Sequence, residues 1–137
     1  MPVGPVCVIG SLVASIGLAH MVGDYVIQSH WMAVEKTKRW WPAIAHGVTY
    51  GLPFLLITQS AMALAIIVGT HILIDHWRLA RFAVWLRNQL APKAYRPALT
   101  SGTGSPTDTP DWLAVWLLII ADNVIHVLIN LAAVLYA

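Results

Sequence analysis

Three times in a chain of 137 residues, a histidine and an aspartate stand four positions apart inside a run of aliphatic side chains: His20 with Asp24, His71 with Asp75, and Asp122 with His126. Residues at i and i+4 share one face of a helix, so each pair projects side by side into whatever that face covers. Ionisable groups are costly in apolar helices and turn toward a bundle interior, where they mark function. Three pairs of the same chemistry ask for one explanation, which is convergence, together with His46, on a buried metal.

The runs that carry these pairs dominate the chain. Hydrophobic residues make up 58% and charged residues 10%, with a mean hydropathy of +0.70, the profile of an integral membrane protein. A net charge of +2 is too small to indicate nucleic acid as a partner. The one cysteine, Cys7, excludes an internal disulfide and leaves the redox compartment open. The N-terminus has no positively charged segment, and the run it opens contains His20 and Asp24, which argues against a cleaved signal peptide.

Apolar length places four spans at about 6–28, 42–58, 61–87 and 110–136, an all-α integral membrane four-helix bundle forming a single domain. Pro53 is expected to kink the second span. The third is expected to continue as an amphipathic helix through Arg78, Arg81 and Arg87. Thr109, Pro110 and Asp111 read as N-cap, first-turn proline and acidic first-turn residue of the fourth. Residues 91–109, rich in proline and glycine, read as a flexible loop. Lys36, Lys38 and Arg39 lie between spans one and two, and Arg78, Arg81, Arg87, Lys93 and Arg96 between spans three and four, so all eight basic residues fall on one side. The positive-inside rule then puts both loops in the cytoplasm and both termini outside.

This topology predicts a layering. Spans one and three run toward the cytoplasm and span four runs away from it, and in span four the order of the pair is reversed. Every pair therefore presents its imidazole toward mid-membrane and its carboxylate toward the cytoplasmic side. His126 is the outlier, about 20 Å into its helix at about 1.5 Å rise per residue. Gln28, Arg78 and Asn130 continue the same faces as candidates for orienting a ligand or holding a substrate anion. Gly17, Gly23, Gly47 and Gly69 are candidates for close helix approach.

Four imidazoles and three carboxylates form a donor set suited to zinc or a similar divalent ion. Seven candidates exceed one tetrahedral ion, so either two ions bind or some aspartates orient ligands and act as bases. The competing readings are hydrogen-bonded packing between helices and a proton or ion pathway. His30 and His76 read as interfacial residues, and the tryptophans as interface anchors.

His20-Met21-Val22-Gly23-Asp24, Gln28, Trp31-Met32-Ala33 and Lys36 resemble the H-x-x-G-D-x-x-x-Q-x-x-W-M-A-x-x-K signature of a family of small multi-span membrane proteins from bacteria and their phages, defined as a domain of unknown function. His46-Gly47 with Tyr50, His71 to Asp75 with Arg78, and Asp122-Asn123 through His126 to Asn130 resemble its further motifs, with Asn123 where glutamine is frequent. The resemblance implies the fold and the importance of these residues but no activity. More distantly the pattern is similar to inner-membrane proteins described as metal-dependent hydrolases and to intramembrane zinc amidases. The expected function is a metal-dependent hydrolase of a lipid or lipid-linked substrate at the cytoplasmic leaflet of a bacterial inner membrane, acting as a homo-oligomer with membrane lipid as its partner. His20, His46, His71 and His126 would hold one or two ions and Asp24, Asp75 or Asp122 would act as ligand or base. The alternatives are a metal- or proton-coupled transporter and a non-catalytic membrane interaction protein.

Overall fold

The computed structural model describes the backbone of residues 5–137 and the side chains from Cys7 onward. The first four residues, on which the question of a signal peptide turns, lie outside the described residues. Helix α1 (Pro5–Met21) runs into a π-helical turn, Val22–Ile27. A short α2 (His30–Glu35) follows, then α3 (Trp40–Gly51), which tightens into a 3-10 turn at Leu52–Leu56. The rest is α4 (Ala61–Trp77), α5 (Ala80–Asn88), a 3-10 turn at Lys93–Tyr95 and α6 (Asp111–Tyr136). No strand occurs among the described residues.

Two segments are long and apolar enough to cross a membrane: Cys7–Ile27, with mean hydropathy 1.5, and Asp111–Tyr136, with 2.1. The single long helix expected over 61–87 is instead two, α4 and α5, bent by 64° and counting as a third candidate only if taken together. The break is at Arg78, which caps α4 in the left-handed conformation (φ 52°, ψ 47°) while its N–H and that of Leu79 bond back to Asp75 and Ile74. The expected second span is also shorter than the ~20 residues a crossing needs, because Pro53 ends regular α-geometry after the 12 residues of α3. Pro110 occupies the N-cap position of α6 and its carbonyl accepts from Leu113 and Ala114, so Thr109 is not the cap.

The four longer helices close into a ring, with α3 on α4, α4 on α6, α6 on α1, and the π turn returning to α3. One end of the ring is filled by Ile16, Ala19, Tyr50, Phe54, Ala63, Ile67 and Ala133. Ser60 ties that end together: its hydroxyl accepts from Ala63 N–H to start α4 and donates to the Ala137 carbonyl. Residues 91–109 lie along α5, where Trp85 Nε1 donates to Pro97 and Asn88 Nδ2 to Gly104.

The polarity of the helices is inverted relative to a water-soluble bundle. On α6 the residues Trp112, Trp116, Ile120, Val124 and Leu128, four apart, are all exposed, whereas His126 and Asn130 are 1% exposed. Two glycines set the spacing around this polar interior. A Cβ on Gly23 would lie 2.6 Å from Tyr50 Cδ2, and one on Gly47 would run into the side chain of Ile72. Gly17 and Gly69, by contrast, face open space and perform no such role. Gly47→Ala is therefore expected to force α3 from α4 and lower the melting temperature of the detergent-solubilised protein, by an overpacking cost of about 1–3 kcal/mol. Gly69→Ala should leave the melt unchanged or slightly raised.

Candidate metal centre

Asp24, His46, His71 and Asp75 arrive from three different elements, the π turn, α3 and α4. The π turn inserts an extra residue per turn where α1 would otherwise continue, and such bulges recur at functional sites. Here, with Gly23 against Tyr50, it carries Asp24 toward α3. His46 is one position before Gly47, where α3 packs directly against Ile72 of α4, and His71 lies on the facing side of α4 with Asp75 one turn on.

The resulting distances are short and nearly uniform. His46 Nε2 lies 2.9 Å from His71 Nε2, 3.1 Å from Asp24 Oδ1 and 3.2 Å from Asp75 Oδ2. His71 Nε2 is 3.3 Å from each of those two oxygens. Both imidazoles are fully buried, and Asp24 and Asp75 are 8% and 7% exposed. Four donor atoms from four residues thus face one point. Ligands about 2.0–2.1 Å from a tetrahedral zinc ion stand about 3.3 Å apart. These buried groups could hold a metal ion.

The remaining predicted residues divide. His126 and Asp122 form a second group with Asp75, one donor atom from each within 4.8 Å of the others. His126 Nδ1 is 2.9 Å from the Asp122 carbonyl, which can only accept, so Nδ1 carries a proton and, in the neutral ring, Nε2 is bare. His20 stands outside both groups because both its nitrogens are engaged. Asn130 Nδ2 donates to Tyr50 Oη at 2.6 Å, the Tyr50 hydroxyl donates to His20 Nδ1 at 2.9 Å, and His20 Nε2 donates to Asn123 Oδ1 at 2.9 Å. Tyr50 also stacks on His71 at 3.6 Å between ring centroids, so this chain of bonds holds the His71 ring in place. Asn130 and His20 act on the cluster through Tyr50.

Lys36 is the residue the sequence concealed. Its ammonium lies 2.6 Å from Asp75 Oδ2, 2.7 Å from Gln28 Oε1 and 3.3 Å from His46 Nε2. Charge alone had assigned it to a connecting loop. Helix α2, capped by the Ser29 hydroxyl on Met32 N–H, turns the connector back over the bundle. His76 Nδ1 donates to the Lys36 carbonyl at 2.7 Å and its ring stacks on Trp40, so His76 fixes the backbone from which Lys36 reaches inward. Tyr50 had a usable signal, since it follows His46 by four residues. For Lys36 the signal was its place at the end of the family signature, since helix spacing gives none: its position depends on a chain reversal.

A cavity of about 230 Å³ opens above these groups, with Asp24, Asp75 and Asp122 in its wall beside Gln28, Lys36 and Arg78. The three carboxylates line this cavity, whereas the four imidazoles are buried and do not. Lys36→Met leaves the Asp75 carboxylate buried without its ammonium partner. Its expected cost is on the order of 3 kcal/mol, read as a lower melting temperature of metal-free protein. Lys36→Arg should recover part of it.

No curated protein and no solved structure matches this chain. The sequence pattern of the family described as "Protein of unknown function (DUF3307)" matches residues 12–137, which include every residue of the cluster and of the cavity wall. The chain therefore belongs to the DUF3307 family.

Proposed function

We propose that this protein is a membrane-embedded, metal-dependent hydrolase whose substrate is a lipid or lipid-linked molecule bearing an anionic group. The observation that carries the reading is the convergence of His46 Nε2, His71 Nε2, Asp24 Oδ1 and Asp75 Oδ2, with spacings of 2.9–3.3 Å, at the base of an open cavity. The donor set, two imidazoles and two carboxylates with no thiolate, suits zinc. Bound there, the ion would lower the pKa of a water and polarise the scissile group.

The chain's own groups supply the rest. Lys36 shares the Asp75 oxygen that an ion would use, which weakens Asp75 as a ligand and favours a water position on the cavity side. Asp122, partly exposed in the cavity wall, is placed to take the proton. Lys36, Gln28 and Arg78 offer two cations and an amide to the anion. Arg78 makes no ion pair among the described residues, and it holds a left-handed position that glycine would occupy without strain.

In this reading the apolar outer faces of α1 and α6 meet lipid, the short α3 and the bent α4–α5 pair are packed among them, and the cavity opens at the cytoplasmic leaflet of a bacterial inner membrane. The apolar plug of Ile16, Phe54, Ile67 and their neighbours closes the ring opposite the cavity, which favours a one-sided reaction site over a transport path.

Purified protein in lipid nanodiscs should retain a stoichiometric divalent ion, and its removal by chelation should abolish hydrolysis of anionic lipid. Asp75→Asn should reduce turnover at least 100-fold in a lipid-release assay. Wild-type protein that carries no ion, or turnover that survives both treatments, would defeat the proposal.

A further inference from the structure

A second acceptor faces the same carboxylate from the other side. His126 is 1% exposed, its Nδ1 proton is committed to the Asp122 carbonyl, and its bare Nε2 has no hydrogen-bond partner. The group it faces is Asp75 Oδ1, at 3.8 Å. That separation is too long for a hydrogen bond, and both atoms are acceptors, so nothing in the protein compensates either lone pair. Two bonds of about 2.0–2.1 Å to one shared ion can span it. The Asp122 carboxylate lies beside the pair, with Oδ2 3.4 Å from His126 Nδ1, and one ligand atom from each of the three residues lies within 4.8 Å of the others.

We infer that Asp75, Asp122 and His126 bind a second divalent cation, with Asp75 bridging the two ions through its separate oxygens. The inference rests on the first ion site proposed above and extends it to a two-metal centre. The bridge follows from the geometry: Asp75 Oδ2 belongs to the His46–His71 group and Oδ1 faces His126. Three carboxylates against the Lys36 and Arg78 cations leave one negative charge in the walls of the cavity, so two divalent ions would make the centre cationic, ready for an anionic substrate.

Pairs of ions about 3.5–4 Å apart clamp the attacking and leaving oxygens of an in-line displacement at phosphorus. The substrate class narrows accordingly to a phosphoester. The oxygen of water forms the new P–O bond, the P–O bond to the alcohol breaks, and its electron pair leaves on the alcohol oxygen. That oxygen takes up the proton that Asp122 removed from water.

The test is metal stoichiometry in the full-length, detergent-purified chain stripped of metal and titrated with zinc. The wild type should bind two zinc ions per chain and His126→Gln one, with Asp122→Asn weakening the second by at least 10-fold. One ion in the wild type, or two in His126→Gln, overturns this inference while leaving the first site standing; none in the wild type overturns both. Should His126→Gln fail to fold, the wild type loaded with two equivalents of manganese decides. An exchange-coupled pair in its electron paramagnetic resonance spectrum supports the bridge, and two isolated ions refute it.

Discussion

Two carboxylates and two imidazoles share one buried point in this fold, and burying that much acceptor character is costly unless a cation is present. The Lys36 ammonium meets part of the requirement, on one oxygen of Asp75. What remains is a tight group of His46 Nε2, His71 Nε2 and Asp24 Oδ1, 2.9–3.3 Å from one another, while Nδ1 of both rings has no hydrogen-bond partner. The apolar interior makes an unmet demand more expensive than it would be in water, and it makes a bound ion correspondingly more valuable.

Much of the local irregularity of the chain serves that point. The π turn after α1 carries Asp24 inward; Gly23 and Gly47 remove the Cβ atoms that would hold the π turn and α4 away from α3. The hydrogen-bonded series Asn130, Tyr50, His20, Asn123 fixes the ring on which His71 stacks. The stacked His76 and Trp40 hold the carbonyl of Lys36 so that its side chain can enter. The left-handed cap at Arg78 turns α5 away and leaves the mouth of the cavity lined by a guanidinium.

The polar cluster was legible because i, i+4 spacing is a property of a single helix and survives any tertiary arrangement. His71 with Asp75 and Asp122 with His126 could both be read from it. The role of His20 could not. It shares a face with Asp24, but the turn between them is π-helical, and the Asn123 side-chain oxygen takes His20 Nε2, the ring nitrogen that faces Asp24. The break at Arg78 was hidden for another reason: no glycine or proline marks it, since an arginine occupies the left-handed position. Lys36 does lie in the connector, but charge alone reads it as a marker of topology, and only the turn after Gln28 shows that its side chain points inward.

The depth of His126 illustrates how helix length resolves an apparent conflict. With 26 residues, α6 is much longer than α4, and it packs against α5 as well as against α4 and α1. Its first turns rise beside α5, past the level at which α4 ends, so a histidine far along α6 still reaches the carboxylate on the last turn of α4.

X-ray absorption spectroscopy at the edge of the metal retained by the purified protein tests the central claim most directly. The expected first shell is nitrogen and oxygen only, at about 2.0–2.1 Å, with outer-shell scattering of imidazole rings that falls in a His46→Ala, His71→Ala double variant. A sulfur-containing shell, a shell without imidazole, or a spectrum indifferent to those two substitutions would contradict it.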